Sequence, residues 1–132
     1  MGIKLGGLFI IAPQFVFFYF YQRLSKSKWM ITKEQAIDIA NGYISEKNQG
    51  RKIILQLQLE RTIEFELGWV FCYQSKDYIE TGDTMKRVFG NAPIIINKQT
   101  GAIHVTGTRH TINTYIIRYF QQEERKQKGD SA

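Results

Sequence analysis

Gly68-Trp69-Val70-Phe71-Cys72-Tyr73-Gln74-Ser75, and after an intervening segment Pro93-Ile94-Ile95-Ile96-Asn97, are the stretches whose reading decides the fold. Aromatic and β-branched residues dominate both, and each is bounded by Gly, Pro or Asn, which is the signature of strands. In the first, Trp69, Phe71 and Tyr73 share one strand face while Val70 and Cys72 share the other. Cys72 is the one cysteine, so no intrachain disulfide framework exists, and it reads as a small buried hydrophobe.

On the N-terminal side, Leu55, Leu57 and Leu59 alternate with Gln56, Gln58 and Glu60, predicting a strand over 53–60 with one buried face that continues toward Phe65. Glu66-Leu67-Gly68 turns it back on the Trp69 strand as an antiparallel hairpin. Further upstream, Thr32 with Gln35 forms a capping box, and Ala36, Ile37, Ala40, Tyr43 and Ile44 recur at helical spacing up to Asn48-Gln49-Gly50. On the C-terminal side, Pro93 opens the third strand, where its missing N–H falls outside the ladder. Asn97-Lys98-Gln99-Thr100-Gly101 makes a hairpin turn into a fourth strand over 102–106. After Gly107-Thr108, Ile112, Tyr115, Ile116, Tyr119 and Phe120 line one face of a last helix, which frays into the polar tail 121–132. The expected architecture is α+β, in the order α-β-β-β-β-α. It has a four-stranded antiparallel sheet, with the N-terminal and C-terminal helices on one face.

With 132 residues, 43% of them hydrophobic, the chain makes a single packed domain. The net charge of +6 is unevenly spread. Residues 1–30 carry four bases and no acid, 31–117 ten bases and nine acids, and 118–132 four bases and three acids. A nearly neutral folded part lacks the basic face that tracks phosphates, so nucleic-acid binding is not expected. Leu5 to Gln22 is uncharged and apolar, near the lower limit for a membrane helix. Three readings stay open for residues 1–29: an extension upstream of a start at Met30, an inner-membrane anchor through 5–22 with the domain on the cytoplasmic side, or a cleaved signal. The last lacks a small-x-small site in Leu24-Ser25-Lys26-Ser27-Lys28. A cytoplasmic protein is expected.

Chemistry-bearing motifs are absent. His104 alternates with Ile103 and Val105, and His110 precedes the last helix, both reading as structural histidines. Without HExxH, a cysteine pair or a Gly-rich phosphate loop, no enzyme, metal or cofactor is expected. The connection from Ser75 to Ala92 is longer than most ordered loops, which points to function. On it Asp77, Tyr78, Glu80 and Asp83 combine charge with an aromatic, a composition suited to a protein contact. Gly90-Asn91-Ala92-Pro93 reads as a turn and Trp69 as core.

Taken together these residues resemble the YrhB-like family, also described as immunity protein 35. The matching positions are the Met30-Ile31-Thr32 helix opening, Gly68-Trp69-Val70-Phe71, Tyr78-Ile79-Glu80-Thr81-Gly82-Asp83, Gly90-Asn91-Ala92-Pro93, the hairpin at Gly101, and Gly107-Thr108. The resemblance spans about residues 30–120 and makes Trp69, Gly82, Gly90, Asn91, Pro93, Gly101 and Gly107 the structural motif. It implies a small bacterial α+β protein that is not an enzyme, encoded beside a polymorphic toxin and neutralising that toxin by binding it. The alternative it implies is a general chaperone of the holdase type. The chain departs from the family pattern at Arg109, where a small residue is usual, and at Asn113-Thr114, where acids are expected.

Overall fold

The computed structural model describes residues 30–129; the apolar segment 5–22, with the three readings of it, lies outside them. Helix α1, Lys33–Asn48, starts at the expected capping box. Thr32 Oγ1 accepts from the Gln35 N–H at 3.1 Å, and Gln35 Oε1 accepts from the Thr32 N–H at 2.9 Å. Four antiparallel strands follow in a meander, β1 Leu55–Phe65, β2 Gly68–Ser75, β3 Ile94–Asn97 and β4 Ile103–Val105, with spatial order equal to chain order. Helix α2, Lys76–Thr81, and a 3-10 turn, Thr84–Lys86, occupy the connection between β2 and β3; helix α3, Ile112–Gly129, is the last of the described elements. The α+β class, the four antiparallel strands and the helix-strands-helix order are as the sequence predicts.

The helices, however, cover opposite faces of the sheet. Ala36, Ala40 and Ile44 of α1 join Leu55, Leu57, Trp69, Phe71, Tyr73, Ile94 and Ile96 in one core. The Ala residues let the helix axis approach the strands. On the reverse face Val70 and Ile95 pack with Tyr119, and Ile112 and Ile116 of α3 close over them. Strand alternation is the reason: successive side chains of β2 and β3 point to opposite sides, and both sets are apolar. Every residue of these two strands is consequently buried.

Two further expectations are corrected. Leu59 is not in the core with Leu55 and Leu57 but is 48% exposed. The pairing of β1 with β2 jumps between Gln58 and Ile63, and an irregularity of this kind re-aims the side chains beyond it. The tail does not fray at Gln121, since α3 runs on to Gly129. Good helix formers and the Glu123–Lys126 ion pair at 2.9 Å support this solvent-exposed extension.

The turns are as read. Gly101 has φ +73° and its N–H reaches the Asn97 carbonyl at 2.8 Å. The Asn97 side chain is buried; its Oδ1 accepts from the N–H groups of Gln99 and Thr100, and its Nδ2 donates to the Tyr119 hydroxyl at 3.0 Å. One side chain thus ties the β3–β4 turn to α3. Pro93 precedes β3 and its carbonyl accepts from both the N–H and the hydroxyl of Thr106.

Candidate functional site

The long connection after β2 is an ordered projection built on buried polar side chains. Ser75 ends β2 only 1% exposed; its Oγ accepts from the Tyr78 N–H at 3.0 Å, capping α2, and donates to the Lys86 carbonyl at 2.6 Å. Beside it, Gln74 Oε1 accepts from the Val88 N–H at 2.6 Å and Nε2 donates to the Val88 carbonyl at 3.1 Å. Asn91 Nδ2 donates to the Tyr73 carbonyl at 2.6 Å, so the Asn of the Gly-Asn-Ala-Pro turn holds β2 rather than its own following backbone. Gly82, with φ +73°, ends α2 in the left-handed conformation. These bonds fix both ends and the middle of the segment from Lys76 to Asn91. The sequence signal for α2 was the Ser75 cap with Gly82 at the far end.

Upon this support the predicted residues take different surroundings. Asp77 is exposed in the first turn of α2, and Glu80 pairs loosely with Lys76 at 4.0 Å, both side chains more than half exposed. Such a pair contributes little to stability. Asp83 Oδ1 accepts from the Met85 N–H at 3.0 Å, so this carboxylate has a local structural role, capping the 3-10 turn. Tyr78 is half-buried beneath Arg87, whose guanidinium lies 5.3 Å from its ring centroid and 5.9 Å from that of Phe89. Met85 and Phe89 are 87% and 85% exposed. Neither they nor Arg87 stood out in the sequence, although Met85-Lys86-Arg87-Val88-Phe89 interleaves bases with apolar residues. Val88 packs against the core, and its neighbours face outward.

No catalytic arrangement accompanies this surface among the described residues. Burial pushes the Cys72 thiol up, away from the thiolate form. His104 lies against Tyr119, ring centroids 5.1 Å apart, with burial and then the Lys126 charge lowering its pKa; His110 lies against Tyr115. Neither imidazole is hydrogen-bonded to a nucleophile or a carboxylate. No group of His, Cys, Asp and Glu among the described residues could hold a metal ion, and no helix among them is long and apolar enough to cross a membrane.

The family pattern described as Immunity protein 35 matches residues 34–114, from the first turn of α1 to the first turn of α3. The chain belongs to the immunity protein 35 family. The match contains the whole sheet and the projecting segment, and it confirms the resemblance carried by the sequence motifs. A relative from Escherichia coli (strain K12), described as "Uncharacterized protein YrhB", is 37% identical over 90 residues, covering 68% of this chain and 89% of that protein. No solved structure matches the chain significantly. In this member of the immunity protein 35 family the motif glycines have physical roles. A side chain on Gly68 would overlap the Ile96 carbonyl, and a Cβ on Gly107 would come within 2.5 Å of the Tyr115 hydroxyl, which accepts from the N–H groups of Arg109 and His110 ahead of α3.

Proposed function

We propose that this chain is a non-enzymatic immunity protein that binds and neutralises a cognate bacterial toxin in the cytoplasm, with the segment from Lys76 to Asn91 in the contact surface. The observation that supports this reading is the pairing of a rigid base with an exposed apolar crown. Met85 and Phe89 stand almost fully in solvent on a segment whose backbone is pinned by Gln74, Ser75 and Asn91. Exposed apolar side chains on a preorganised frame suit partner capture, because little conformational entropy is lost on binding. Asp77, Tyr78, Glu80 and Arg87 supply a polar surround.

Co-expression with the toxin encoded beside the gene tests the reading. Growth should be rescued and the two proteins should co-elute on gel filtration; no rescue and no complex would refute it. Met85→Ser with Phe89→Ser should weaken the complex about 100-fold, as loss of interface hot spots does, while leaving the melting temperature unchanged. Should the protein instead suppress aggregation of several unrelated clients while forming no stable complex, the holdase alternative would replace this one.

A further inference from the structure

Where the C-terminal end of α1 meets the turn into β3, a cavity of about 50 Å3 is lined by Lys47, Arg51, Tyr73, Phe89, Gly90 and Asn91, among others. Two bases border it and no acid does. The Lys47 ammonium lies 5.5 Å from the Tyr43 ring centroid. The Arg51 charge is felt at the Tyr73 phenol, opposing the burial that pushes that group up to about 12. Neither Lys47 nor Arg51 is ion-paired with a carboxylate among the described residues.

Lys47 stands in the last turn of α1, whose carbonyl end favours a cation, but neither it nor Arg51 has a carboxylate partner among the described residues; two cations around one small cavity repel each other, and an anion between them would relieve the repulsion. A cavity of about 50 Å3 accepts one carboxylate-sized group and excludes a nucleotide. Asn91 has its amide committed to the Tyr73 carbonyl, so it holds the wall in place. At the rim, the Phe89 ring stands 85% exposed. An aromatic platform beside a cationic cavity matches a protein side chain with apolar neighbours better than a free inorganic anion.

We propose that this cavity receives an Asp or Glu side chain of the bound toxin, with Phe89 packing against an apolar residue next to it. The proposal rests on the partner-binding function above and names the chemistry by which the partner is registered. Arg51 and Lys47 hold the carboxylate, and the acids Asp77 and Glu80 on α2 present the opposite sign elsewhere on the surface.

The test is an NMR titration of the 15N-labelled full chain with a capped short peptide in which a glutamate adjoins a phenylalanine. A peptide with glutamine in place of glutamate and inorganic phosphate serve as comparison probes. Saturable shifts are expected at Gly90, Asn91 and residues 47–55 with the glutamate peptide alone. Lys47→Gln with Arg51→Gln should weaken them at least about tenfold, as loss of charge-assisted bonds predicts, while Lys52→Gln leaves them unchanged. Equal binding of the glutamine peptide, an unaffected double variant, or phosphate binding as tightly at the same amides would each overturn the proposal. A chain that binds the peptide yet fails to rescue cells from the toxin would overturn the proposed function instead.

Discussion

Gly68 and Gly82 demand glycine for different reasons. A β-carbon on Gly68 would overlap the Ile96 carbonyl oxygen, a backbone atom held within β3. At Gly82 nothing lies within 4 Å of the added carbon and only the positive φ of 73° resists substitution. Gly68→Ala should therefore cost about 3 kcal/mol, as forced overpacking does, and Gly82→Ala about 1 kcal/mol. Urea unfolding of the two variants checks this, and coincident midpoints would contradict it. His104 offers a pH test. Burial, then Lys126, lowers its pKa below 6.5, so above that value both folded and unfolded chains carry neutral imidazole and no effect arises. As pH falls through 6.5 the unfolded chain is protonated first, so stability declines and levels off only below the folded pKa. His104→Gln should flatten the fall in urea midpoint between about pH 7.5 and about pH 5.5, and an unaltered slope would remove His104 as its source. At this scale the sequence was informative where local rules act alone: Gly101 in its turn, Cys72 and Trp69 inside. Met85 and Phe89 were not legible, because hydropathy predicts burial and only the hydrogen bonds from Gln74 to Val88 decide which residue of that run turns inward.

Among the elements, α2 depends on a single hydroxyl more than on its own six residues. A helix this short is not stable by itself, and its one N-terminal cap, Ser75 Oγ, also holds the Lys86 carbonyl. Ser75→Ala removes both bonds at a nearly sealed site and should cost about 2 kcal/mol. Its effect should be local. Trypsin should cut faster after Lys86 and Arg87, while amide exchange in β3 stays slow; uniform acceleration across the sheet would show that the projection is not a separable unit. The strand β1 shows the complementary limit of sequence reading. Its apolar/polar alternation runs on through Leu59 and Glu60, and only Arg61, a base on the leucine face, marks locally the register jump that exposes Leu59. That jump is set by which residues of β2 lie opposite, a tertiary fact. The candidate contact residues behave likewise: Asp83 was legible as a charge on a loop but not as the cap of a 3-10 turn.

For the whole molecule, the placement of two helices on opposite faces was written in the chain more plainly than the one-face arrangement expected from it. Ile94-Ile95-Ile96 is a continuous apolar run, and β2 is apolar on both of its faces, the pattern of a sheet covered on both sides. Since β2 and β3 contribute to both cores, the two cores should unfold together rather than one at a time. Tyr119 tests this, because it is the buried residue of α3, packed edge-on to Phe65 with centroids 6.3 Å apart and accepting from Asn97 Nδ2. Tyr119→Phe removes only the hydroxyl and should cost about 1 kcal/mol. Tyr119→Ala leaves Val70 and Ile95 partly uncovered and should cost about 3–5 kcal/mol, a large share of the stability of a domain this size. If the sheet couples the two cores, the alanine variant will lose amide protection in β3 and in α1, on the far face, as well as in α3. Loss confined to α3 would instead make that helix a peripheral cover, and the fold a three-stranded core with α1 as its one indispensable helix.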